Sequence, residues 1–325
     1  MKEQYTYAVA RVRAKELSLL SEQDINRLMS CESYEDCLNV LKDKGWGDDT
    51  DISDEKDYQL ILKKEENKTW NLVSELVKEE SLFNVFKYPV DYHNLKAAIK
   101  GYITESISDD LFAFGGTISP EVIISCVKNN DFKALPLEMQ EVARTAFDKL
   151  LHTGDGQLCD IIIDKALLDT IKNQGENSTS NLIKEYSELY VASTNIKVAI
   201  RSQMMKKNIQ FLKMAMAKCN TLDIEKLALA ASKSIDAICE YLEFTKYSDS
   251  VTFLRESIQK FEFWRDNKII ELIKQEKYNS FSIGPIAAYV LARENELKVV
   301  RIILSGKLHH IDDNLIKERL RMMYV

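Results

Sequence analysis

Hydrophobic residues return every three or four positions along most of this chain, the step that lines up one face of an α-helix. Two-residue alternation between turn residues is scarce, so the pattern predicts an all-α fold. One stripe joins Ile224, Leu227, Ala228, Ala231, Ile235, Ile238 and Leu242, wide enough to bury one face of a long helix capped by Thr221. Ser33-Tyr34-Glu35-Asp36 has the spacing of a capping box, in which serine and acid satisfy two orphan backbone donors. Ser119-Pro120-Glu121 sets a cap residue, a proline at the first helical position and an acid near the positive end of the dipole. On the first helix Tyr7, Ala10, Ala14 and Leu17 form an apolar stripe beside a basic edge of Arg11, Arg13 and Lys15. The acids Glu16, Glu22 and Asp24 nearby favour a packed helix over one lying on lipid. Cys159 to Asp164 has strand-like propensity but runs straight into a helical pattern.

The predicted connections are few and polar. Asp43 to Asp57 carries Gly45, Gly47 and seven acids. Gly115-Gly116, Thr153 to Gly156, Asn173 to Asn181 and Tyr278 to Pro285 are the others.

A longer period overlies the helical one. Asn94-Leu95-Lys96-Ala97-Ala98-Ile99-Lys100 returns as Asn195-Ile196-Lys197-Val198-Ala199-Ile200-Arg201 and, more loosely, as Glu296-Leu297-Lys298-Val299-Val300-Arg301-Ile302. The copies start 101 residues apart each time. Even spacing over such a distance predicts a tandem triplication, with units at 1–105, 106–207 and 208–325 and an approximate threefold axis. Upstream of the copies, at 37, 31 and 30 residues, Asp57, Asp164 and Asp266 are expected to open helices, where a carboxylate meets the positive end of the dipole.

Composition sharpens this picture. Ten glycines and four prolines in 325 residues leave little room for turns, so the helices are long. The net charge of −7 disfavours binding to a nucleic-acid backbone, which needs a basic face. Six cysteines without a C-x-x-C pair suggest reduced thiols in a cytoplasmic protein. The start of the chain is polar, without the look of a secretory leader, and no apolar run reaches the ~18–20 residues of a spanning helix.

Catalytic and cofactor motifs are missing. Gly306-Lys307 is followed by Leu308, not by the hydroxyl residue of a phosphate loop. Four histidines stand at 93, 152, 309 and 310 without an H-E-x-x-H pair, and there is no G-x-S-x-G elbow. No cofactor and no metal are implied. The repeated basic residues are the candidate chemistry. Lys96 with Lys100 and Lys197 with Arg201 are i,i+4 pairs, and Lys298 with Arg301 is an i,i+3 pair. Like charges on one face call for acids opposite, supplied either by the same fold or by a partner.

Three features carry a family resemblance. The opening Tyr7-Ala8-Val9-Ala10-Arg11-Val12-Arg13-Ala14 looks like a Y-x-x-x-R-x-R-x start, the three copies sit at the family's repeats, and Ala288 through Leu304 is similar to its C-terminal signature. In these respects the chain resembles the family of C subunits of V-type (A/V-type) rotary ATPases, and is similar to the d subunit of vacuolar ATPases. The resemblance implies a three-lobed helical funnel and a non-catalytic central-stalk subunit at the cytoplasmic face of the membrane. It would couple the shaft, built of D- and F-type subunits, to the membrane ring of ion-carrying subunits, with no nucleic acid involved. Lys96, Lys100, Lys197, Arg201, Lys298 and Arg301 become candidates for the partner interface. In one respect the chain departs from the family: Gly284, not an acid, precedes Pro285. The dipole stabilisation expected from a carboxylate at that helix start would therefore be missing. The alternatives are a generic α-helical repeat scaffold and, less favoured, an enzyme with an unrecognised helical site.

Overall fold

The computed structural model describes residues 5–47 and 58–325. Among them every regular element is helical. In chain order the α-helices are α1 (Thr6–Glu16), α2 (Glu22–Met29), α3 (Tyr34–Asp43), α4 (Tyr58–Leu76), α5 (Asn84–Ile103), α6 (Pro120–Lys128), α7 (Leu137–Thr153) and α8 (Gly156–Asn177). There follow α9 (Asn181–Met204), α10 (Ile209–Ala215), α11 (Ile224–Lys233), α12 (Ile235–Glu243), α13 (Val251–Glu256), α14 (Ile258–Lys274), α15 (Gly284–Leu308) and α16 (Asp313–Lys317). Cys159 to Asp164 is helical, inside α8.

Local chemistry explains most helix starts. Ser33 Oγ accepts from Asp36 N at 3.1 Å while the Asp36 carboxylate accepts from Ser33 N at 3.2 Å, the reciprocal box expected there. Ser21 and Asp24 make a second box at the start of α2. Pro120 begins α6 as expected, but Ser119 makes no side-chain cap. At the other end of a helix, Gly154 adopts the left-handed conformation (φ +66°) and donates to Leu150 O at 2.9 Å, closing α7 before α8 begins at Gly156.

Several expectations are corrected. The stripe from Ile224 to Leu242 is two helices. Ser234 stands between them in an extended conformation (φ −162°, ψ 168°) and its Oγ accepts from Ala237 N at 3.0 Å to start α12. A serine that can satisfy an orphan donor competes with the helix interior, and here it wins. The cap of α11 is Asp223, not Thr221. On α1 the expected stripe is inverted: Ala8, Val9 and Val12 are buried, whereas Tyr7, Ala10, Ala14 and Leu17 face solvent. Both faces of this helix carry apolar residues, so periodicity alone did not choose between them. The break expected over Asn173 to Asn181 shrinks to residues 178–180, because α8 runs on to Asn177. Asp164 and Asp266 lie well inside α8 and α14, and the residue that opens α8 is Asp155, whose carboxylate accepts from Leu158 N at 2.9 Å. Asp57 lies outside the described residues, as does most of the acidic stretch after Asp43.

The chain divides into two compact units. The first comprises Met1–Glu80, Ser180–Leu182 and Gln259–Val325; the second comprises Ser81–Thr179 and Ile183–Ile258. The first unit therefore joins the two ends of the chain. Its centre is α15, with 19 of 25 residues buried, packed against α1, α3, α4 and α16. A helix buried on nearly every side belongs in a core, and the first half of α15, Ile286 to Ala292, is wholly apolar. Leu297, Val300, Ile303 and Leu304 meet Leu28, Cys37, Leu41, Trp46 and Ile61 there. In the second unit α5 packs on α6, α7 and α8, and α11 on α12.

Candidate partner interface

The three copies of the repeated segment lie on the long helices α5, α9 and α15. Their burial repeats residue by residue. Asn94, Asn195 and Glu296 are buried; so are Leu95, Ile196 and Leu297, and again Ala98, Ala199 and Val300. Lys96, Lys197 and Lys298 are half-buried at the matching step. The third copy then departs: Arg301 is exposed where Ile99 and Ile200 are core.

The buried asparagines do matching work. Asn94 donates to Ala113 O at 2.9 Å and accepts from Ala113 N at 2.8 Å. Asn195 donates to Ala217 O at 2.8 Å and accepts from Ala217 N at 3.0 Å. Each primary amide thus imitates a peptide group and pins the chain that follows its own helix. An acid earlier on the helix completes the grip. Asp91 accepts from Thr117 N, Thr117 Oγ1 and Ile118 N at 2.8, 2.6 and 3.1 Å. Glu188 accepts from Asn220 N, Thr221 N and Thr221 Oγ1 at 2.8, 2.7 and 2.6 Å. Burial raises the Asp91 pKa, and the Thr117 and Ile118 donors only partly offset that rise. Neither acid was evident from sequence. The repeated asparagine was the available signal, and it marked the helix without revealing what it holds.

On α15 the same helix face carries charge. Arg293 stands three residues before Glu296, as Asp91 stands three before Asn94. Arg293 Nη2 donates to Glu65 at 2.7 Å and Nε to Thr69 Oγ1 at 3.3 Å, both on α4. Its Nη1 donates to Glu296, which also accepts the N–H of Leu20. The guanidinium lies 5.2 Å from the centre of the Trp46 ring. Burial opposes its charge, but the carboxylates of Glu296 and Glu65 outweigh that and raise the Arg293 pKa. Asn295, one residue off the repeat, holds Met322 O at 3.0 Å.

The basic candidates divide by what faces them. Lys96 Nζ is 2.5 Å from Asp164 and Lys100 Nζ is 2.7 Å from Asp160. These pairs continue a ladder between α5 and α8, whose other rungs are Tyr92 with Thr170 at 2.7 Å and Tyr88 with Gln174 at 2.8 Å. Steps of four on α5 meet returning steps on α8, the geometry of antiparallel neighbours. The acids opposite Lys96 and Lys100 therefore belong to the same fold. Lys298 pairs with Asp266, which also accepts from Arg321 Nε at 2.8 Å and Arg265 Nη2 at 2.7 Å. Burial alone would raise the Asp266 pKa; the cations around it override burial and hold the carboxyl well below the usual range. Lys197 and Arg201 also interact with neighbouring groups. Arg301 is exposed.

The carboxylate missing before Pro285 is supplied from elsewhere. A Cβ on Gly284 would collide with Glu276 Oε2, so Glu276 occupies the space an acid side chain there would need. Glu276 Oε2 accepts from Asn279 Nδ2 at 2.8 Å, which holds it against the first turn of α15. The dipole of α15 thus faces a carboxylate from eight residues upstream.

Among the described residues no grouping of His, Cys, Asp or Glu could hold a metal ion, and no helix is long and apolar enough to cross a membrane. A family profile described as ATP synthase (C/AC39) subunit matches residues 8–319. The C subunit of the V-type sodium ATPase of Enterococcus hirae is 21% identical, over 96% of this chain and 97% of that relative. The C subunit of the A-type ATP synthase of Desulfurococcus sp. is 22% identical over 97% of this chain and 90% of its own. That of Methanocaldococcus jannaschii is 21% identical over 99% and 86%. With the profile spanning nearly the whole sequence, from α1 to just beyond α16, this chain belongs to the ATP synthase (C/AC39) subunit family.

Proposed function

We propose that this chain is a non-catalytic central-stalk subunit of a V-type ion-translocating ATPase, coupling the rotor shaft to the membrane ring of ion-carrying subunits. The observation that carries this reading is the end-to-end match with relatives named as the C subunits of V-type sodium ATPase and A-type ATP synthase. In this reading the chain sits peripherally at the cytoplasmic face, with D- and F-type shaft subunits on one side and the ring on the other. In this reading its three units, 1–105, 106–207 and 208–325, are copies of one helical repeat. A body of that kind transmits torque through broad interfaces, in which charges fix register as well as partner.

The six basic residues of the repeats remain the proposed partner surface, with Arg201 and Arg301 its exposed members. Lys96, Lys100 and Lys298 already neutralise acids of their own fold, so their part in an interface would be to share those acids with a partner. Co-purification from native membranes followed by crosslinking tests the assignment. The chain is expected to crosslink both to shaft subunits and to the ring. Arg301→Glu, and the Lys197→Glu/Arg201→Glu pair, are expected to weaken assembly with the shaft and to change its salt dependence. Unchanged assembly in these variants would remove the substituted residues from the interface, and recovery without either partner would overturn the function.

A further inference from the structure

Two of the six cysteines meet at the corner between α2 and α3. Cys31 Sγ donates to Arg27 O at 3.5 Å, and Cys37 Sγ donates to Leu28 O at 3.4 Å. Those carbonyls are consecutive on the last turn of α2, so both sulfurs lie against the same turn. Cys37 is buried and Cys31 is half-buried, so one member of the pair can meet solvent. A cation stands at the same corner. Lys307 Nζ, on α15, donates to Met29 O at 3.0 Å and Cys31 O at 2.7 Å, and is 2.8 Å from Asp313. Its charge favours the thiolate form of Cys37.

We propose that Cys31 and Cys37 are a modification site, at which a two-electron oxidant of the peroxide class closes a disulfide across the α2–α3 corner. Cys31, the accessible thiol, loses its proton and attacks one peroxide oxygen. The O–O bond breaks, Cys31 becomes a sulfenic acid, and the departing oxygen leaves as water. Cys37 then gives up its proton and attacks the Cys31 sulfur; the S–S bond forms, the S–O bond breaks and a second water leaves. Two thiols supply two electrons and the peroxide takes both. Burial, and then the neighbouring Cys31, push Cys37 up to about 12, so the second step is slow near neutrality and quickens as pH rises. The bond would stiffen the corner to which Lys307 ties α15.

Trypsin cleaves after Arg27 and Lys42, so residues 28–42 carry both cysteines in one peptide. The purified full chain is treated with hydrogen peroxide while folded, then unfolded, labelled with iodoacetamide and digested. The peptide is expected two hydrogens lighter and unlabelled, whether or not Met29 has gained an oxygen, and to take both labels once reduced. Closure is expected to be faster at pH 9 than at pH 7. Cys37→Ser is expected to stop at the Cys31 sulfenic acid, captured by dimedone, with circular dichroism confirming that the variant is folded. Full labelling of both cysteines after oxidation, closure only in denaturant, or pairing of Cys31 with a second chain would each overturn the proposal.

Discussion

On α5 and α9 a buried asparagine, with an acid one or two turns before it, holds the stretch of chain that leaves the helix. Ala113 and Ala217 lie 19 and 22 residues beyond Asn94 and Asn195. On α15 the matching face holds residues from the other end of the sequence. Leu20 is 276 positions from Glu296, and Glu65 is 228 from Arg293. A neutral amide suits a neighbour that is itself a peptide group. The charged trio of Arg293, Glu65 and Glu296 suits a neighbour that brings a side chain of its own. The apolar positions of the repeat survive in all three helices, because each still needs a buried face. The polar anchors diverge, because each must match what lies opposite.

Five substitutions would break or sharpen this contrast. Arg293→Met carries the largest expected effect. It leaves the buried Glu296 without a cation and Glu65 with only the half-exposed Lys68, at a cost of about 3–5 kcal/mol, read as a lower urea midpoint with altered Trp46 fluorescence. A cost below about 1 kcal/mol would mean that the charged anchor is no stronger than a surface pair. Asn195→Ala comes second. It strips the partners from Ala217 N–H and C=O and is expected to cost about 2–3 kcal/mol, with hydrogen exchange accelerated over residues 217–221. Asn94→Ala should do the same over residues 113–118. Unequal effects would show that the two asparagines are not equivalent.

Asp266→Asn is the smallest, about 1–2 kcal/mol at neutral pH, because Lys298 is partly exposed and its pairing is weakened by solvent. Its value lies in its sign with pH. The folded carboxyl titrates below its unfolded pKa, so its contribution is complete above about pH 5 and fades as acid approaches the folded pKa. The gap between Asp266→Asn and the parent chain should therefore begin to narrow below about pH 5 and keep narrowing as the pH falls toward the folded pKa. Asp91 has the opposite sign: its folded pKa is raised, so its contribution improves as pH falls through that raised value. Asp91→Asn should consequently lessen the gain, and urea midpoints measured across pH separate the two.

The all-α class, the long helices, the capping box at Ser33 and the place of the repeats were all legible in the chain. Each rests on contacts among residues close in sequence or on burial that a helical period exposes. The burial of Leu95, Ile196 and Leu297 at matching steps follows directly from that period. The candidate interface was half legible. Its basic residues are where the pattern put them, yet the acids facing Lys96 and Lys100 come from α8, which pairs with α5 only once both have folded. The inverted stripe on α1 failed for a related reason: both its faces are apolar enough, and packing against α15 chose one.

The sequence by itself determined that this protein is built of helices, that a motif recurs every 101 residues, and which positions of that motif enter a core. Tertiary structure alone decided which polar partners meet. It sent Asp164 and Asp266 to lysines instead of helix starts, brought Glu276 to Gly284, and set Arg293 against α4. Periodicity and capping act over a few residues and leave a trace in the chain. A buried hydrogen bond between residues hundreds of positions apart leaves none, because its energy depends on a geometry that only the packed helices create.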